Sequence, residues 1–278
     1  MPIVTRFAPS PTGYLHLGHA FSALTAWHRA REAGGCFLLR LEDIDTARCR
    51  LAFAQAILED LAWLGIDWDG EVRVQSQHLA EYRAALDALA VRGLLYPCFC
   101  TRADIMQSAS APHSPDGAPL YPGTCRRLSA DEREARIAAG TPHALRLDMA
   151  RALVGPLTFE EESEGSILCR PEQFGDVVLA RKDAPGSYHL CVTHDDALQG
   201  VTLVTRGEDL KPATHLHRLL QALMGWPAPT YAHHPLLTDR GGRRLAKRDK
   251  AVALRELRAR GHSPADVQAM IADVRRAG

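Results

Sequence analysis

An α/β fold is what this sequence predicts: strands and helices alternate along the chain, which requires a parallel sheet with helices on both faces. Three observations carry that expectation. A short apolar run at residues 3–7 meets a Pro/Gly-rich loop and then a periodic run at 20–30, a strand–loop–helix unit. A second apolar strand at 36–41 follows the helix stop Gly34-Gly35. A long helical pattern at 46–64 then aligns Ala54, Ile57, Leu58, Leu61 and Leu64 on one stripe, with Gly65 past its end.

The later elements follow in order. A helix spans 78–91 and stops at Gly93, and the pattern breaks between 101 and 127, where Pro, Ser, Gly and Ala predict an inserted loop or small subdomain. Ser129-Ala-Asp-Glu132 is a capping box opening a helix to about 139. Strands are expected at 144–148, 157–161 and 176–182, then at 187–193 and 201–205 around a short acidic turn. A helix at 212–224, a strand at 231–237 and a helix at 251–260 come next, and Ser263 caps a last helix with Pro264 at its first position.

At 278 residues, 46% apolar and 24% charged, the chain has material for a large core plus an insertion. Its 33 Lys and Arg balance 33 Asp and Glu, so nucleic-acid contact must come from a local basic patch. With no leader pattern and no apolar stretch of about 18 residues, a cytoplasmic protein without membrane contact is the expectation. Seven cysteines without disulfide-style framing point to reduced thiols or metal ligands.

The loop Pro9-Ser-Pro-Thr-Gly-Tyr-Leu-His-Leu-Gly-His19 sets two histidines around Gly18 at the mouth of a helix. Backbone N–H groups there attract phosphate, Gly18 admits close approach, and each imidazole can donate to developing negative charge. This predicts nucleotide chemistry. Farther on, Cys98-Phe-Cys100 and Tyr121-Pro-Gly-Thr-Cys125 frame the insertion. Three thiolates closing a coreless segment suggest one structural Zn2+, with His113 or Tyr121 as fourth ligand. Cys36, Cys49, Cys169 and Cys191 are expected to be small buried core residues, and the remaining histidines solvated or core side chains.

His16-Leu-Gly-His19 resembles the HIGH signature of class I aminoacyl-tRNA synthetases, and the longer run from Arg6 to His19 resembles their glutamate/glutamine branch. Leu41-Glu-Asp-Ile-Asp45 and the segment from Ser187 through Arg206 to Asp209 are similar to stretches lining that family's amino-acid pocket. The resemblance implies a Rossmann-like catalytic domain and a glutamate site of Arg6, Phe7, Ala8, Pro9, Ser10, Glu42, Tyr188 and Arg206. In it, Arg6 and Arg206 serve the side-chain carboxylate, Tyr188 adds a hydroxyl and Glu42 binds the α-ammonium.

The run from Leu236 to Arg248 resembles the second signature, KMSKS, here Arg244-Leu-Ala-Lys-Arg248 with Ala246 in place of serine. The implied ATP site comprises His16, Gly18, His19, Arg244 and Lys247, with Mg2+ on the phosphates and His16, His19 and Lys247 catalytic. Cys-x-Cys with a later Tyr-x-x-x-Cys resembles the zinc site of short family members, which favours Tyr121 as the fourth ligand. The implied domains are 1–97 for the first half of the catalytic domain, 98–127 for the zinc insertion, 128–237 for the rest of the insertion and the second catalytic half, and 238–278 for the signature loop and a truncated helical stem-contact tail.

No anticodon-binding domain is expected. That matches short family members, which activate glutamate with ATP and transfer it to the queuosine base in the anticodon arm of tRNA(Asp), with a monomer expected. Other readings are a glutamyl-tRNA synthetase lacking its anticodon domain, a small-cofactor nucleotidyltransferase and a catalytically decayed RNA-binding paralogue.

Overall fold

The structure is a computed structural model, and it describes residues 2–108, 114–115, 117, 119–238 and 252–277. Two compact units divide the chain discontinuously: Met1–Gln77, Gly200–Asp209 and Pro229–Gly278 form the first, and His78–Gln199 with Leu210–Ala228 the second.

The first unit opens with β1 (Val4–Phe7), α1 (Leu17–Glu32), β2 (Cys36–Leu41), α2 (Leu51–Trp63) and the short β3 (Arg73–Val74). β1 pairs parallel with β2, and β2 with β3, as the strand–helix alternation requires. The crossover is tight. Gly34 adopts φ 60°, and a Cβ on Gly35 would stand 2.0 Å from the Ile3 carbonyl oxygen, so only glycine fits there.

The chain enters the second unit with α3 (Leu79–Val91), β4 (Leu95–Cys98), α4 (Arg102–Ser108) and α5 (Ala130–Ala138), followed by β5 (Ala144–Leu147) and α6 (Met149–Ala152). The hairpin strands β6 (Thr158–Glu161) and β7 (Gly165–Leu168), then β8 (Val178–Ala180) and α7 (Tyr188–Leu198), complete its first passage. β4, β5 and β8 are antiparallel, so the parallel alternation read from the first hundred residues ends before β4. The capping box at Ser129 and Glu132 forms as expected at the head of α5.

The expected strand at 187–193 is instead the start of α7. A short continuous apolar run does not separate a buried strand from a buried helix face. Here the Ser187 hydroxyl caps the Leu190 N–H, and the helical turn carries Asp195 inward, where the Tyr82 hydroxyl donates to it at 2.8 Å. The acidic pair is therefore part of the helix, not a turn.

The first unit resumes with β9 (Leu203–Gly207), yields to α8 (Ala213–Met224) in the second, and ends with β10 (Thr230–His234), α9 (Leu254–Ala259) and α10 (Pro264–Ala277). β9 and β10 are parallel, and β9 neighbours β1: Thr202 N–H donates to Val4 O at 3.0 Å, and Arg6 reaches Thr205 O at 3.2 Å. Phe21, Leu24, Phe37, Leu39, Ile57, Leu61, Leu254 and Leu257 belong to the core of this unit. Cys169 and Cys191 are buried as expected, but Cys36 is exposed at a strand start and Cys49 half-buried in a loop. Among the described residues no helix is long and apolar enough to cross a membrane.

Candidate active site and cysteine cluster

In the first unit the sequence-singled residues gather at one edge. Arg6 and Phe7 end β1, Glu42 follows β2 and Arg206 lies near the end of β9. The carboxyl ends of parallel strands are where an open α/β sheet forms its ligand crevice.

The histidine loop explains itself locally. His16 is the N-cap of α1, its Nδ1 accepting the Gly18 N–H at 3.1 Å, while His19 Nδ1 accepts the His16 N–H at 3.2 Å. This is a capping box built from imidazoles in place of the usual hydroxyl and carboxylate. Because both Nδ1 atoms accept, each neutral ring carries its proton on Nε2 and is a donor there. The ring centroids are 3.9 Å apart, so both donors belong to one station at a helix N-terminus.

At the strand ends lie two buried guanidinium groups and a carboxylate. Arg6, 5% exposed, donates to the Thr205 carbonyl, and Arg206, 6% exposed, donates from Nε to His233 Nε2 at 3.1 Å. Arg206 also faces the Tyr231 ring at 5.3 Å. Glu42 pairs at 3.2 Å with Arg40, which is wholly buried, while its backbone N–H donates to Pro9 O at 3.1 Å and ties β2 to the signature loop. Phe7 and Pro9 are buried, Ala8 half-buried and Ser10 exposed.

Three contributors were not legible in the sequence. His233 and Arg40 orient Arg206 and Glu42, and His234 accepts or donates to Ser22 of α1 at 2.9 Å. The parallel pairing of Arg206 with His233 was the missing signal, and sequence alone does not give register.

Arg244 and Lys247 lie outside the described residues, as does His113. The described chain after them begins with Val252. Ala253 bridges antiparallel to His16, and Leu254 N–H donates to Leu15 O at 2.8 Å. Tyr188 belongs to the second unit, as the first residue of α7; its ring lies 5.8 Å from that of His217, which pairs with His189 at 3.2 Å.

Also in the second unit, the sulfurs of Cys98, Cys100 and Cys125 lie within 4.8 Å of one another. The Tyr121 hydroxyl is 3.4 Å from Cys100 Sγ and accepts the Cys125 N–H at 2.8 Å. Arg146, itself buried, lies 3.9 Å over the Tyr121 ring. Burial pushes the Cys100 thiol up to about 11. Burial also acts on Cys125, but hydrogen bonds from Tyr121 and the Phe99 N–H outweigh it and bring that thiol down to about 7. Three sulfurs and a phenolic oxygen converging from two segments make a four-donor set that could hold a metal ion.

Residues 2–278 match the family model described as tRNA synthetases class I (E and Q), catalytic domain, and the chain belongs to that family. Particular relatives sharpen this. The glutamyl-Q tRNA(Asp) synthetase of Rhodobacter capsulatus is 52% identical across 97% of this chain and 99% of its own length. The protein of the same name from Nocardia farcinica is 47% identical across 96% of this chain and 83% of its own. A solved glutamate tRNA ligase from Elizabethkingia meningosepticum, in complex with its amino acid, superimposes with a TM-score of 0.77 at 30% identity over 90% of this chain. The chain spans about half of that ligase, 52% of its length.

Proposed function

We propose that this chain is an ATP-dependent ligase that activates L-glutamate as glutamyl-adenylate and transfers the glutamyl group to the queuosine base of tRNA(Asp). The reading rests on one observation above the rest. Paired imidazole donors at the α1 N-terminus share a strand-end edge with Arg6, Glu42 and Arg206.

Arg6 and Arg206 bind the side-chain carboxylate by charge-assisted hydrogen bonds, and Glu42 binds the α-ammonium. Phe7, Ala8, Pro9 and Ser10 line the approach, and Tyr188 joins this set on resemblance alone. The glutamate α-carboxylate attacks the α-phosphorus of ATP; the new O–P bond forms as the bond to pyrophosphate breaks. A carboxylate is already a nucleophile, so no residue need remove a proton. Nε2–H of His16 and of His19 stabilise the charge that develops on the phosphate oxygens, and Lys247 and Arg244 neutralise the departing pyrophosphate. Gly18 lets the nucleotide approach the helix mouth. Bound Mg2+ supplies further charge neutralisation on the phosphates.

In the second step a hydroxyl of the queuosine ring attacks the acyl carbon, AMP leaves, and the hydroxyl proton passes to solvent or phosphate. Cys98, Cys100, Cys125 and Tyr121 would hold one structural Zn2+ that orders the 98–127 insertion. We take the working form to be a cytoplasmic monomer, with residues 1–97 as the first catalytic half, 128–237 as the rest of the insertion and the second catalytic half, and 238–278 as the signature-loop tail.

Activation is tested by ATP–pyrophosphate exchange. Exchange that requires L-glutamate and ATP supports the reading; exchange with no amino acid, or none under any condition, removes it.

A further inference from the structure

Asp60 sits on α2 with its side chain 1% exposed, and among the described residues neither carboxylate oxygen has a hydrogen-bond partner. Arg258 Nη2, from α9, stands 3.9 Å from its Oδ1 and 3.9 Å from Glu59. Among the described residues, the charged groups facing Asp60 are Arg258 and Arg255 from α9 and Glu59 from α2. A buried carboxylate without hydrogen bonds weakens a fold, and an apolar residue of similar volume is often neutral or better in its place. A group that carries that cost calls for another account.

What α9 touches supplies one. Leu254 N–H donates to Leu15 O, Ala253 bridges to His16, and Arg255 lies 4.4 Å over the Tyr14 ring. The Tyr14 ring in turn meets Phe53 of α2 edge-on at 5.0 Å. Within one unit, α2, α9 and residues 14–16 form a three-way junction. The carboxylate–guanidinium pair lies between the two helices, and the imidazole station follows the junction directly. Apolar contact is non-directional, whereas two charges on facing helices fix how α9 is turned.

We infer that Asp60 and Arg258 are positioning residues for His16 and His19, setting the seat of α9 on which Leu15 and His16 hang. The inference rests on the adenylation reading of the site, and the pair itself touches no substrate. Nothing in the pair needs to move a proton or electron; its work is geometric. A displacement near 1 Å at a reacting group is costly in rate, so loss of the pair should appear in turnover before it appears in glutamate binding.

The test uses the full chain with Asp60→Leu, Arg258→Met and Arg258→Lys. Asp60→Leu should melt at or above the wild-type temperature. Its kcat for glutamate-dependent pyrophosphate exchange should nevertheless fall at least about tenfold, with KM for glutamate within about twofold. Arg258→Met should behave alike in turnover, and Arg258→Lys should recover part of it. Amide exchange at Leu254 should accelerate about tenfold in Asp60→Leu and Arg258→Met, with that at Cys36 unchanged. The inference is overturned if both of these variants keep kcat within about twofold and leave Leu254 exchange at the wild-type rate. A wild-type protein without glutamate-dependent exchange refutes the adenylation reading instead, and the Leu254 amide still decides whether the pair seats α9.

Discussion

At the scale of single residues, the site is governed by side chains that hold other side chains. Arg206 is fixed through Nε by His233, a bond that a lysine at 206 has no atom to make. Arg206→Lys should therefore lower kcat/KM for glutamate by about 10- to 100-fold, the worth of one charge-assisted hydrogen bond. The melting temperature should change little, and steady-state exchange kinetics across glutamate concentrations check both halves.

Asp60 makes a pH prediction of definite sign. Burial pushes its carboxyl from 3.8 up to about 6, with Arg258 pulling the other way. Because the folded value lies above the unfolded one, the folded state holds the proton longer as pH rises. Stability is thus lost between about pH 4 and 6 and stays lower above, by about 3 kcal/mol at the limit. Urea midpoints should show the gain of Asp60→Leu over wild type growing from pH 4.5 to pH 8; a constant gap contradicts the shift.

At the scale of elements, most of what surrounds the site was legible because local rules and packing agree. The strand–loop–helix opening, the cap at Ser129 and the start of α10 at Pro264 follow from turn chemistry and periodicity. α7 was not legible, because its five apolar or β-prone residues Tyr188, Leu190, Cys191, Val192 and Thr193 fit either state until the burial of Asp195 against Tyr82 decides. The imidazole capping box was half legible: the histidines were singled out for chemistry, yet their role in closing the helix is visible only in the Nδ1 contacts. The cysteine cluster belongs to this scale too, since it closes a segment whose small core holds few large side chains beyond Tyr96 and Phe99. Purified protein should carry about one zinc per chain, and Cys125→Ser should lose it. Chelation should lower the melting temperature of the wild type and leave Cys125→Ser unmoved. Protein purified from zinc-supplemented cells that holds no metal contradicts the assignment.

At the scale of the whole molecule, charge and topology each constrain the function. Equal numbers of cationic and anionic side chains leave no general field to draw in RNA. Binding of queuosine-containing tRNA should therefore depend only modestly on salt, with a log–log slope shallower than about −4, as expected for a handful of phosphate contacts. A steeper slope would point to a broad basic surface absent from the charge balance. The discontinuous division of the chain was not legible, because a helix and a strand read the same whichever unit they join. Residues 200–209 return to the first unit for β9 alone, and long-range pairing such as Thr202 with Val4 settles that membership.

On the proposed function, glutamate leaves this enzyme on a base and not on the end of an RNA. The direct measurement incubates the protein with ATP, labelled glutamate and tRNA(Asp) containing queuosine, then removes the 3′-terminal adenosine. The label is expected to stay with the RNA, and tRNA(Asp) lacking queuosine to take up none. Label lost with the adenosine, or carried equally by tRNA(Glu), would contradict it.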